Sequence, residues 1–239
     1  MRQGLREWAR HQRELFDDPG ADGATVVASL ADVARANRFF GGAAAALKRL
    51  DEFFRVAGAG TTLTLLDVGT GDGDIPRAAQ RRAERWGVKL SLLALERHPA
   101  AARHAARHGA MSVARGDARA LPLRSRSADL VLCSQLLHHF HDAELTTLIA
   151  ELDRVARLAV VVADIRPNPV AAVGIWLASY LLSFHRVTRR DGVVSVLRGF
   201  TSARLRQVCA AAGVDADVRT HAGFRVTAAW RPAVHTRHQ

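Results

Sequence analysis

From residue 63 to residue 163 the chain alternates short apolar runs with stretches of helical length, and few folds satisfy that rhythm. The runs are 63–68, 90–95, 111–114, 129–133 and 158–163, and helices are expected near 74–86, 99–108 and 142–157. Runs apolar on consecutive positions are buried on both faces. Separated by helices, such strands run parallel, with helices covering each side of the sheet. The tail breaks the rhythm. After a helix near 202–212, strands at 214–219 and 223–230 are joined by a link too short for a crossover, so they must pair as an antiparallel hairpin.

Two regions stand outside the alternation. Leu30, Val33, Ala34, Asn37 and Phe40, then Leu47, Leu50, Phe53 and Phe54, recur at helical spacings around Gly41-Gly42. They predict a helical cap over 1–58, ahead of an α/β domain over 59–239. The second region, 166–200, is a helix-rich insertion after the fifth strand, at the sheet end where open α/β folds bind ligands.

A chain of 239 residues that is 49% apolar can bury one full core with a modest appendage. Cys133 and Cys209, its two cysteines, sit in apolar surroundings and read as packed thiols in a reducing cytoplasm. The N-terminus lacks the apolar stretch of a secretion signal. The longest apolar run, 170–184, is shorter than the ~20 residues needed to cross a bilayer, although it could rest on a membrane surface. The net charge is +11, from 34 basic and 23 acidic residues. Only Lys48 and Lys89 are lysines, and the arginines are scattered rather than gathered in a stripe with aromatics, which disfavours nucleic acid as the main partner. The exposed apolar stretch and the cap make a homodimer reasonable.

The loop after the first strand reads Asp67-Val-Gly69-Thr70-Gly71-Asp72-Gly73-Asp74, with Pro76 suited to the first turn of a helix. Glycines let the backbone turn sharply and let a ligand approach it. Their G-x-G-x-G spacing departs from the dinucleotide fingerprint, whose third glycine comes one position later. The carboxylates around the loop would repel a pyrophosphate but suit ammonium and sulfonium charge. Glu96 ends the next strand, placed to accept hydrogen bonds from ribose hydroxyls.

Further on come Arg115-Gly-Asp117-Ala118, Leu121-Pro-Leu and Ser127-Ala-Asp129-Leu-Val. In order and spacing these segments resemble the class I S-adenosylmethionine-dependent methyltransferases over roughly 63–230. The resemblance implies a Rossmann-like, doubly wound, mostly parallel seven-stranded sheet. It also implies S-adenosylmethionine as cofactor, with S-adenosylhomocysteine as product. Asp117 would meet the adenine amino group beside Ala118. With Asp67, the glycines and Glu96, the strand-end residues Thr70, Arg97 and Ser134 complete the expected donor site, and Asn37 and Arg38 of the cap would close over the donor carboxylate. A looser similarity, through Ser134-Gln-Leu-Leu-His-His-Phe, Val162-Ala-Asp-Ile-Arg-Pro and Arg189-Arg-Asp-Gly, is to small-molecule methyltransferases of quinone and polyketide-type secondary metabolism. The Asn/Asp-Pro-Pro-Tyr type of motif found in amino-directed enzymes is absent.

His138 and His139 follow the fourth strand, where a methyl group would be transferred. The enzyme mainly aligns the acceptor, and a base helps where a phenol must lose its proton. His139 is preferred over His138 as that base, against the plainer reading that both pack structurally. Arg166, His185 and the helical stripe Trp176, Tyr180 and Phe184 are candidates for the acceptor side, although such a stripe is more often core. Asp129 opens a strand and reads as a structural cap. No metal is expected, because no ligand spacing closes a site. The expected reaction is O-methylation of a phenolic, quinol or polyketide-like hydroxyl. C-methylation of an aromatic or quinone ring, an RNA methyltransferase and a non-catalytic binding module stand as alternatives.

Overall fold

The computed structural model describes residues 2–109 and 111–233. Seven strands form one sheet: β1 Thr62–Val68, β2 Lys89–Glu96, β3 Ser112–Arg115, β4 Ala128–Ser134, β5 Ala156–Ile165, β6 Asp217–His221 and β7 Arg225–Trp230. Their order is β3-β2-β1-β4-β5-β7-β6. The first five are parallel; β7 runs antiparallel to both β5 and β6. The order reverses beside β1, which is flanked by β2 and β4, so the strand ends there open a crevice. All seven residues of β4 are buried, as a central strand covered on both faces requires.

Of the borders that differ from the expected ones, three have a plain physical reason. β5 starts at Ala156 because its pairing with β4 extends back to Ala128, which ends the preceding helix at Val155. β3 begins one residue late, since Met111 turns into the core beneath the glycine loop. β6 begins at Asp217 because residues 213–214 are spent on a helix end: Gly213 takes φ +74° and Val214 N–H donates to the Cys209 carbonyl.

Helices α4 Asp74–Glu84, α5 Pro99–Ala106 and α6 Asp142–Val155 are the crossovers, and α9 Ser202–Ala211 precedes the hairpin. The N-terminal region forms α1 Arg2–Arg10, α2 Gly23–Phe39 and α3 Ala44–Ala57. Leu50 and Phe54 of α3 are fully buried against one sheet face, while α2 packs Val26 and Leu30 on Ala101 of α5. The insertion forms α7 Pro169–Leu181 and α8 Arg186–Arg198, with Ala9 of α1 buried against them. Both cysteines are buried free thiols, and burial pushes Cys209 up to about 11. Asp129 accepts from the Thr64 N–H and from Arg157, tying β4 to β1 and β5 far from the strand ends that bear the loops.

Candidate functional site

The glycine turn is held open by backbone geometry that side chains resist. Gly69 has φ +75°, and a Cβ there would lie 2.9 Å from the Leu136 methyls; Gly71 has φ +55° and faces Leu30. Glu96 fixes the turn to the next helix. Its Oε2 accepts from the Gly71 N–H at 3.0 Å, and its Oε1 accepts from the His98 N–H at 3.0 Å, at the start of α5. Around this turn lies a cavity of about 550 Å³, lined by Asp67, Gly69, Thr70, Gly71, Glu96, Arg97, Asp117, Ala118 and Ser134.

The end of the cavity at β1 is electrostatically unbalanced. Burial, added to by the nearby charges of Asp74 and Glu96 and only partly offset by the Thr70 hydroxyl, pushes the Asp67 carboxyl up to about 7. Burial likewise raises Asp74. Ser134 Oγ is buried without a hydrogen-bond partner. An anionic wall and an orphaned hydroxyl fit a ligand that brings positive charge and a polar group to the end of β1.

Two residues expected in this cavity are not on its wall. Gly73 caps α4 from behind, where a Cβ would meet Met111 at 2.6 Å. Arg38 is exposed, because the face of α2 that turns inward carries Leu30, Val33 and Asn37, one helical step away. Asn37 donates to Asp74 at 3.2 Å and accepts from Gln135 Nε2 at 2.8 Å, bridging the cap to the sheet. Asp117 lines the cavity with both oxygens engaged by Arg119, which holds its carboxyl below the ordinary value.

After β4, Gln135 takes φ +54°, an uncommon backbone for a non-glycine residue, and the chain turns through Leu137–His139. His138 Nδ1 lies 2.7 Å from Asp164 Oδ1, and His139 Nδ1 lies 2.7 Å from Asp17 Oδ1. Since a carboxylate only accepts, each Nδ1 carries the proton, and a neutral ring then presents Nε2 as a lone pair. Burial would lower the His139 pKa, but the charges of Glu14 and Asp17 outweigh it and raise it.

His139, Phe16, Val33 and Gln135 line both the first cavity and a second one of about 520 Å³. The second is walled mostly by apolar groups, among them Phe39, Phe40, Ile165, Ile175 and Phe184, with Glu14, His138 and Asp191 at one end. Burial, with Glu14 adding its charge against a hydrogen bond from Leu15, pushes Asp191 up to about 6.

The segment between α1 and α2 is stitched into the wall by two arginines. Arg97 donates to the carbonyls of Phe16 and Asp17; Arg198 donates to Glu14, Asp17 and the Gln12 carbonyl.

The acceptor-side candidates fare differently. Trp176 and Tyr180 do not line the cavity, because α7 turns Ala171 and Ile175 inward and leaves these aromatics in solvent. Phe184 does line it: α7 ends at Leu181, so residue 184 escapes the helical stripe and folds back. His185 is an exposed N-cap of α8, accepting from the Val187 N–H, and Arg166 is held outside by backbone pairing with Phe224. Sequence reasoning missed Glu14, Asp17 and Asp164. Asp164 carried a signal, as a carboxylate near the end of an otherwise apolar strand; the other two sit in a polar segment that gives none. Glu14, His138 and His139 offer ligand atoms within 4.8 Å of one another, as do Asp72, His104 and His108, groupings that chain spacing does not reveal. At the first, the Glu14 charge is already met by Arg198 at 2.9 Å.

Residues 65–158, from β1 into β5, match the family described as Methyltransferase domain. No curated protein matches the chain in sequence. Among solved structures, a SAM-dependent methyltransferase from Aquifex aeolicus shares 14% identity over 77% of this chain and 89% of its own, with a TM-score of 0.54. Magnesium protoporphyrin IX methyltransferase from Synechocystis, with bound SAM, shares 12% over 81% and 79%, at 0.52. A chain of the complex between the Haloferax volcanii Trm112 methyltransferase activator and a candidate methyltransferase shares 16% over 92% and 99%, at 0.57. Residues 65–158 thus carry a methyltransferase domain, laid over the glycine turn, Glu96 and Asp117, on a fold shared with S-adenosylmethionine-dependent methyltransferases.

Proposed function

We propose that this enzyme methylates a hydroxyl of a small, largely apolar acceptor, phenolic, quinol or polyketide-like, in cytoplasmic secondary metabolism. The observation that carries the reading is that two cavities meet at His139, one walled by carboxylates and the glycine turn, the other mostly apolar. When bound, the donor supplies a sulfonium methyl group, open to in-line attack by a nucleophile.

Asp67 meets the cationic amino-acid end, where its raised pKa marks a carboxyl lacking a partner charge. Glu96 and the Gly69-Thr70-Gly71 backbone would hold the ribose side, and Asp117, now bonded to Arg119, would hold the adenine amino group. The acceptor lies in the apolar cavity. A hydroxyl there would give its proton to His139 Nε2 while Asp17 holds Nδ1–H, and bound S-adenosylmethionine would supply the methyl group, its S–CH3 bond breaking to leave S-adenosylhomocysteine. Gln135 and Phe16, shared by both cavities, position the acceptor and exclude water.

The test is titration calorimetry with S-adenosylhomocysteine on wild type and Glu96→Ala, followed by labelled methyl transfer to a panel of phenols and quinols. Tight binding lost in the variant, with label on oxygen, supports the proposal. Label on a ring carbon replaces it with C-methylation, and absence of binding by folded wild type sinks it.

A further inference from the structure

Helix α7 contains thirteen residues and no charged one. Its inner face, through Ala171, Gly174 and Ile175, walls the apolar cavity. Its outer face leaves Val170, Val173, Trp176, Leu177, Tyr180 and Leu181 exposed, from 46% at Trp176 to 86% at Leu181. A helix apolar all round is normally covered, and a contiguous exposed patch of such side chains marks a contact surface.

The surroundings say what kind. From Arg166 to Arg190 there is no acidic residue, while Arg186, Arg189 and Arg190 follow α7 directly. Arg189 lies 3.8 Å over the Tyr180 ring, which places a guanidinium at the border of the patch. Among the described residues no helix is long and apolar enough to cross a membrane. Thirteen residues rise ~20 Å, well short of the ~30 Å hydrocarbon core.

We infer that this face docks on an anionic membrane surface, with α7 lying in the interface. Trp176 and Tyr180 sit at headgroup depth, where amphipathic aromatics are favoured, and the arginines pair with lipid phosphates. The net charge of +11 acts in the same direction. A second copy of the chain is the poorer occupant, since two-fold pairing would bring together two copies of a segment, 166–190, that carries arginines and no acidic residue to pair with them. The same helix that rests on lipid walls the apolar cavity, so a lipid-like acceptor passes from bilayer to site without crossing water. That last consequence rests on the acceptor reading above; the docking does not.

The experiment is flotation of the full chain with phosphatidylcholine vesicles, with and without phosphatidylglycerol, for wild type and the double variant Leu177→Glu/Leu181→Glu. Both positions are solvent-exposed, so the variant is expected to keep its thermal midpoint and its affinity for S-adenosylhomocysteine. Wild type is expected to float only with anionic vesicles and to be released by salt, and the variant to partition at least ~10-fold less. Wild type remaining in solution with both vesicles overturns the inference. So does unchanged flotation of the variant, or a dimer in light scattering that the two glutamates dissociate. If S-adenosylhomocysteine binding fails while flotation holds, the donor site falls and the docking surface stands.

Discussion

The two cavities that meet at His139 are built in opposite ways. The first takes its floor from the ends of adjacent strands, the turn after β1, Glu96 at the end of β2, and Asp117 and Ala118 just past β3, and is closed over by the cap. The second is assembled from distant pieces, with Phe16, Phe39, Ile165, Ile175 and Phe184 meeting only in the folded chain. A ligand site on strand ends is fixed by the sheet's register; one made of an insertion and a cap is fixed by packing alone. The first can be held in common by proteins whose sequences have diverged, while the second is free to vary with the molecule it receives.

The contrast breaks most sharply at His139, where one side chain belongs to both. His139→Ala is expected to lower kcat about 10²- to 10⁴-fold while leaving S-adenosylhomocysteine affinity near wild type, read by steady-state kinetics and calorimetry. Equal loss of both would make the histidine a structural pin of the two walls. Next in size, Glu96→Ala should weaken S-adenosylhomocysteine about 10- to 100-fold in calorimetry, because it removes a charged acceptor and frees the Gly71 N–H. Apparent acceptor affinity should hold.

Asp67→Asn tests the electrostatic side of the comparison. Between the ordinary Asp value of 3.8 and about 7, the folded ligand-free chain holds a proton that the unfolded chain has lost. Its stability therefore falls as pH rises through that window, by up to about 4 kcal/mol from this group. Asn carries no such cost, so the variant should melt higher than wild type at pH 8, with a smaller gap at pH 5, while binding the donor more weakly. Scanning calorimetry at the two pH values checks it. The smallest effect concerns the acceptor side. The activity of wild type should rise with pH through a pKa above 6.5, as His139 loses its proton. Asp17→Asn should move that limb to lower pH, because an opposite charge that raised the histidine is gone.

The same division explains what could be read from the chain. Alternating apolar runs predicted the parallel sheet and the terminal hairpin, because burial on both faces leaves a local mark at every strand. The glycine spacing and the carboxylates of Asp67 and Glu96 pointed to the first cavity for a related reason: each lies at the end of a strand whose apolar run marks its place in the chain. Of Asn37 and Arg38, both expected over the donor carboxylate, only Asn37 faces inward, because periodicity locates a helix without fixing its rotation. Trp176 and Tyr180 failed because a helix apolar on both sides gives no indication of which side is inward. Asp17 reaches His139 across 122 positions, a separation no local pattern encodes.

The segment that Arg97 and Arg198 stitch down is a shared door. It forms part of the wall of two rooms, and Phe16 stands in both. Loss of either arginine would therefore loosen a wall that both occupants share, and no change in that segment can reshape one room while leaving the other as it was.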